Sequence, residues 1–66
     1  MHTIILVEDG ATFAQMADFV VGMDCKECMV AGMAGFVFNN PAEAVLVINA
    51  ARARQIECVV FLRCEL

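Results

Sequence analysis

Asp24-Cys25-Lys26-Glu27-Cys28-Met29-Val30-Ala31-Gly32-Met33-Ala34-Gly35-Phe36-Val37-Phe38-Asn39-Asn40 is the stretch on which the fold turns. Residues 28–31 and 36–38 each read as a short strand. The four residues 32–35 between them carry glycine at both ends, which suits a β-hairpin. A helix over 25–34 competes, with Asp24 as N-cap, Glu27 completing a capping box and Gly35 at C′. Gly32 weighs against that helix, because glycine inside a helix costs about 1 kcal/mol. The hairpin is the preferred reading.

Toward the N-terminus, Thr3-Ile4-Ile5-Leu6-Val7 is β-branched and apolar on both alternating faces, the pattern of a central strand covered on two sides. Glu8-Asp9-Gly10 supplies a turn. Thr12 with Gln15 three residues later fits a capping box. Phe13, Met16, Ala17 and Val20 then recur as one buried stripe of a helix over about 12–22, with Gly22 as its stop.

Toward the C-terminus, Asn40 is a good N-cap, Pro41 fits N1, and Glu43 at N3 closes a box. Arg52 and Arg54 oppose the negative end of this second helix. Ala42, Ala44, Val45, Leu46, Val47 and Ile48 wrap most of its cylinder, so it needs cover on more than one side. A last strand over 56–66 alternates. Ile56, Cys58, Val60, Leu62, Cys64 and Leu66 point inward, while Glu57, Val59, Phe61, Arg63 and Glu65 form a mixed outer face.

The order β-α-β-β-α-β with right-handed crossovers predicts an α+β fold. Its antiparallel sheet runs 4-1-3-2 with both helices on one face, the ferredoxin-like arrangement. The helix-free face then needs a cover, and a second sheet supplies one. A looser resemblance points elsewhere. Ile4-Ile5-Leu6-Val7-Glu8-Asp9 resembles the first strand and acidic pair of response-regulator receiver domains. Asn40-Pro41-Ala42-Glu43-Ala44 and Val59-Val60-Phe61-Leu62 resemble their second helix and third strand. That resemblance implies a half-receiver-like β-α-β-α-β sheet of α/β class. Arg63 stands where the family's phospho-accepting aspartate belongs, which implies that phosphorylation chemistry is lost.

Composition constrains function more tightly than any motif does. The 66 residues make one domain, and 62% of them are apolar against roughly 45–50% in ordinary soluble domains. A domain this small buries only ~60% of its unfolded surface, so excess hydrocarbon stays wet unless copies cover one another. A homodimer or higher oligomer is therefore expected, with Val45, Leu46, Val59 and Phe61 at the interface. Eight acids against four bases give a net charge of −4, which argues against nucleic acid and favours another protein with a basic surface as an outside partner. The longest uncharged run, 28–42, is shorter than the ~20 residues of a membrane span and is broken by Asn39, Asn40 and Pro41. No basic segment precedes an apolar run, so a signal peptide is not expected and the cysteines read as cytoplasmic free thiols.

Cys25-x-x-Cys28 is the one motif with reactive potential. Asp24 and Glu27 flank it, and negative charge raises a thiol pKa, which disfavours disulfide catalysis. A soft-metal site for zinc or copper needs further ligands, for which His2 and Cys64 at the same end of the sheet are the candidates. Heavy-metal-associated domains are similar in fold only, since their Cys-x-x-Cys follows the first strand, where this chain reads Glu8-Asp9-Gly10. The four thiols otherwise serve as small buried hydrophobes. Glu8 and Asp9 read as a solvated turn, and no catalytic set assembles around His2. The function expected is a non-catalytic, homo-oligomeric interaction or regulatory module, including an inhibitor that acts through an acidic or apolar surface. The alternative is a soft-metal or thiol-relay protein using Cys25 and Cys28.

Overall fold

A computed structural model describes residues 2–64, with side chains placed through Phe61. The strand β1 (His2–Val7) is the axis of the fold. Ile4, Ile5, Leu6 and Val7 are all buried, although alternate side chains of a strand face opposite ways. Both of its sides are therefore shielded, in line with its unbroken apolar run.

Helix α1 (Gly10–Phe19) starts two residues before the expected position, because Asp9 and not Thr12 is its cap. Asp9 is extended (φ −122, ψ 156), and its carboxylate accepts both the backbone N–H and the hydroxyl of Thr12 at 2.8 Å. Thr12 is thus the donor in the cap and leaves Gln15 without a boxing role. The predicted stripe is sound, since Met16 and Val20 are buried and Phe13 and Ala17 pack beside them. The helix ends at Phe19. Val20 still turns inward, and Gly22 at φ +82 reverses the chain.

The hairpin is present, but its turn has two residues where four were expected. Strands β2 (Cys25–Val30) and β3 (Met33–Phe38) meet at Ala31 (φ 52) and Gly32 (φ 82). Positive φ at both central positions is the type I′ turn, whose twist matches that of paired strands. Met33, Ala34 and Gly35 consequently belong to β3.

Helix α2 (Pro41–Ala53) has the expected cap, with Asn40 Oδ1 accepting the Ala42 N–H at 2.9 Å. Glu43 does not close a box. Its Oε1 accepts the N–H of Asp24 at 3.1 Å and so ties the entry of β2 to α2. At the other end the N–H groups of Gln55 and Ile56 donate to the carbonyls of Arg52 and Ala51 at 3.0 and 2.9 Å, a Schellman closure with Gln55 left-handed (φ 58). That closure holds Ile56 against the helix, so β4 (Val59–Cys64) begins at Val59 and not at 56. The expected facing of Leu62, Arg63, Cys64, Glu65 and Leu66 lies outside the described side chains.

The architecture is α+β, with two helices and one four-stranded antiparallel sheet in the order β2-β3-β1-β4. A β-α-β-α-β sheet does not occur, because β2 and β3 are joined directly and every pairing is antiparallel. Ile5, Val7, Phe36 and Phe38 on one face form the core with Met16 and Val20 of α1 and Ala44, Val47 and Ala51 of α2. Phe13 stacks on Phe36 with centroids 5.0 Å apart, and the Arg54 guanidinium lies 4.5 Å from the centre of the Phe19 ring, joining the ends of the two helices.

Candidate functional site

With both helices on one side, the strand register sets out the other face in rows. Lys26, Val37, Ile4 and Phe61 lie opposite one another across β2, β3, β1 and β4. The next row is Cys28, Gly35, Leu6 and Val59, and Val30 pairs with Met33 beyond it. Ile4 and Leu6 are buried beneath this face, while Val30, Val59 and Phe61 at its edges are 39, 40 and 46% exposed. Gly35, near the middle, is buried tight against β1. Its backbone runs so close to β1 that a Cβ would strike the Ile5 carbonyl oxygen and stand 2.8 Å from Leu6 Cα.

Charge is uneven along this face. The end toward the start of β1 carries Lys26, the chain's single lysine, which lines a shallow cleft with His2, Glu27, Val37 and Asn39. The opposite end carries a larger cleft of about 420 Å³ that reaches round to the helices, where Glu8, Asp9, Glu57 and Arg54 meet Met33, Val59 and Thr12. The Asp9 carboxyl lies below the usual carboxylate range because it accepts both Thr12 hydrogen bonds, backbone first.

The four expected interface residues fall into two groups. Val59 and Phe61 belong to the helix-free face. Val45 and Leu46 are 52 and 61% exposed on α2, whose buried side (Ala44, Val47 and Ala51) is turned to the opposite face of the sheet. They therefore occupy the back and the front of the molecule.

Cys25 and Cys28 both lie in β2, three residues apart, and three is an odd number in a structure of period two. Cys25 pairs with Phe38 and packs against the core, whereas Cys28 pairs with Gly35 on the helix-free face. The extended strand does not present the two thiols to one ion. His2 does lie opposite Cys64 in the register, across a bulge in which three steps of β4 match two of β1. The Cys64 side chain lies outside the described residues. Among the described residues no group of three or more His, Cys, Asp or Glu side chains is gathered as a metal cluster, and the buried Nδ1 of His2 has no hydrogen-bond partner. Cys25, Cys28 and Cys58 are free thiols. Burial pushes all three up in pKa, with Glu43 and then Asp24 adding to the effect at Cys25. Thiolate, the nucleophilic form, is correspondingly scarce.

No role was expected for Lys26, and Gly35 was expected in the turn, whereas the structure places both on the helix-free face. The available signal was strand alternation, which places every second residue of β2 and β3 on one face once the turn is known. Among the described residues no helix is long and apolar enough to cross a membrane. No protein-family model, curated protein or solved structure matches the chain.

Proposed function

We propose that this protein is a small, non-catalytic binding module that works by associating with copies of itself. The observation carrying this reading is its exposed hydrocarbon. Val21, Met29, Val30, Val45, Leu46, Val59 and Phe61 are between 39 and 81% exposed in a chain of 66 residues. Phe61, Val59 and Val30 alone leave roughly 200 Å² of apolar surface wet, or about 5 kcal/mol per copy at 25 cal/mol/Å². Two copies together gain about 10 kcal/mol, comparable with the 4–15 kcal/mol lost as translational and rotational freedom on association. The assembly is then dynamic, with a dissociation constant in the micromolar range or above.

The strand order, read from β4 as 4-1-3-2, and the placement of both helices over one face support a ferredoxin-like arrangement. In it the helix-free face is the natural ground for a partner. Glu8, Asp9 and Glu57 outnumber Arg54 in the cleft they share, which favours a cationic group in whatever docks beside it.

Sedimentation velocity across a concentration series tests the proposal. The expected result is a weight-average mass that rises with concentration above the 7.2 kDa of one chain. A mass that stays at one chain throughout the series refutes it.

A further inference from the structure

We infer that a second copy joins the sheet at its open edge, β2 against β2, antiparallel about a two-fold axis at Cys28. This rests on the self-association proposed above and names an edge where the copies meet. β2 ends the order β2-β3-β1-β4. Its register with β3 is unbroken from Cys25 to Val30, whereas the opposite edge, β4, carries a bulge of the kind that blunts an edge against pairing. Both helices pack chiefly over β1 and β3, which leaves Glu27 exposed and Met29 72% exposed.

The backbone shows which groups of β2 are free. The Asn39 N–H donates to the Asp24 carbonyl, so Asp24 turns toward β3. Such residues alternate in an antiparallel ladder. Lys26, Cys28 and Val30 therefore bond to β3, while Cys25, Glu27 and Met29 aim their N–H and C=O groups outward. The Cys25 N–H is taken by the Met23 carbonyl at 3.0 Å. Among the described residues no hydrogen bond reaches the outward groups of Glu27 or Met29. An added strand is what such a row of groups takes.

Symmetry and charge leave one register. An axis along the strands would make the pair parallel and set identical outward residues level, but a parallel ladder needs them staggered by one residue. The pair is therefore antiparallel. Directly opposed residues then share a face, so the axis falls at a residue and not between two. An axis at Cys25 or Val30 runs the pairing off the end of the strand. An axis at Lys26 or Glu27 sets that charge directly against its own copy, which is destabilising. An axis at Met29 sets Glu27 against Ala31, whose positive φ belongs to the turn. With the axis at Cys28, Glu27 and Met29 of the second copy exchange both backbone bonds, and symmetry repeats the exchange. Lys26 lies against Val30 of the second copy, where its aliphatic stem covers a wet apolar side chain. Glu27 and its copy remain diagonal neighbours about 7–8 Å apart, near the distance over which salt screens them. Cys28 meets its copy in a non-hydrogen-bonded pair, with Cα atoms about 4.5 Å apart and within disulfide reach. Val59 and Phe61 stay at the far margins of the joined sheet, free for contact through the helix-free face.

The test is disulfide trapping on the full chain, beside sedimentation velocity for mass and circular dichroism for folding. Diamide takes up the two thiol hydrogens as Cys28 joins its copy, and peptide mass spectrometry reads which cysteines are linked. Wild-type protein is expected to give a dimer linked through Cys28 and not through Cys25 or Cys58. Met29→Pro removes an outward N–H and leaves the bonds to β3 alone, a position where an edge strand accepts proline. It is expected to slow trapping at least about tenfold, because bonds are lost on both sides of the axis. Met29→Lys sets opposite charge across from Glu27 twice and is expected to speed trapping about threefold. Phe61→Asp, on the far margin, is expected to change it less than about twofold. If the wild type assembles but Cys28 does not link, or if a Met29 variant that keeps its circular dichroism leaves the rate unchanged, the edge pairing is wrong and self-association stands. If the wild type never assembles, the proposed function falls as well.

Discussion

Replacing Gly35 with alanine adds one carbon atom at the point where β3 crosses closest to β1. The Cβ of any other residue strikes the carbonyl oxygen of Ile5 and stands 2.8 Å from both its carbonyl carbon and Leu6 Cα, all backbone atoms. A flexible side chain could move aside, but backbone in the central strand cannot, because Ile5 is paired on both sides, with Phe36 and Val60. Relief requires β3 to shift away from β1, loosening the register from Thr3↔Phe38 to Val7↔Ala34. Overpacking a well-packed core costs typically 1–3 kcal/mol. The rigidity of both partners puts Gly35→Ala at the upper end, about 3 kcal/mol or more. A chain of this length has roughly 3–10 kcal/mol of stability in all, so the variant loses a third of it or unfolds outright. Urea unfolding followed by circular dichroism measures the loss, provided the slope with denaturant is unchanged. Gly10→Ala is the control, since nothing lies within 4 Å of a Cβ there. A Gly35→Ala protein within about 0.5 kcal/mol of the wild type, with the control equally silent, would refute the close approach of β3 to β1.

The other predictions concern turns, the helix cap and the thiols. Ala31→Asn is expected to stabilise the hairpin, and Gln55→Gly the end of α2, each by about 0.5–1 kcal/mol, because these residues hold positive φ that asparagine and glycine adopt more readily; the urea midpoint reads both. Asp9 has a depressed pKa in the folded state, so its stabilisation is present above the ordinary carboxylate range and lost as pH falls below about 4. Asp9→Ala is expected to lower the melting temperature at neutral pH and to flatten its acid limb, and a parallel limb would contradict the cap. The raised thiol pKa values of Cys25, Cys28 and Cys58 predict slower alkylation by iodoacetamide at pH 7.5 than for a free cysteine, residue by residue in mass spectrometry. Protein purified without added metal is expected to hold no stoichiometric zinc or copper by elemental analysis. A stoichiometric ion lost on Cys28→Ser would overturn the placement of Cys25 and Cys28 on opposite faces.

The long signals were legible in the sequence. The all-apolar run at Ile4, Ile5, Leu6 and Val7, the helical stripe through Phe13, Met16 and Val20, and the Asn40-Pro41 start of α2 each reflect burial or capping that one element decides alone. What escaped depends on contacts between elements. Ala31 carries no turn signature, and its left-handed conformation is imposed by the twist of the two strands it joins. Gly35 looked like part of a loop because glycine usually marks one, yet here it serves close approach between strands. Glu43 had the right spacing for a box, but its carboxylate accepts the N–H of Asp24, a residue of another element. For the candidate site, alternation identified Val59 and Phe61 as outward-facing, while the separation of Cys25 from Cys28 followed only once β2 was known to begin at Cys25. The row of Lys26, Val37, Ile4 and Phe61 required the full register of four strands.

Val45 and Leu46 stand behind the sheet, and Val59 and Phe61 in front of it. Two symmetric contacts on opposite sides of one body, each complete in itself, compose into a row without a last member. A chain that used both would alternate front-to-front and back-to-back, and the weaker junction would govern how far the row grows.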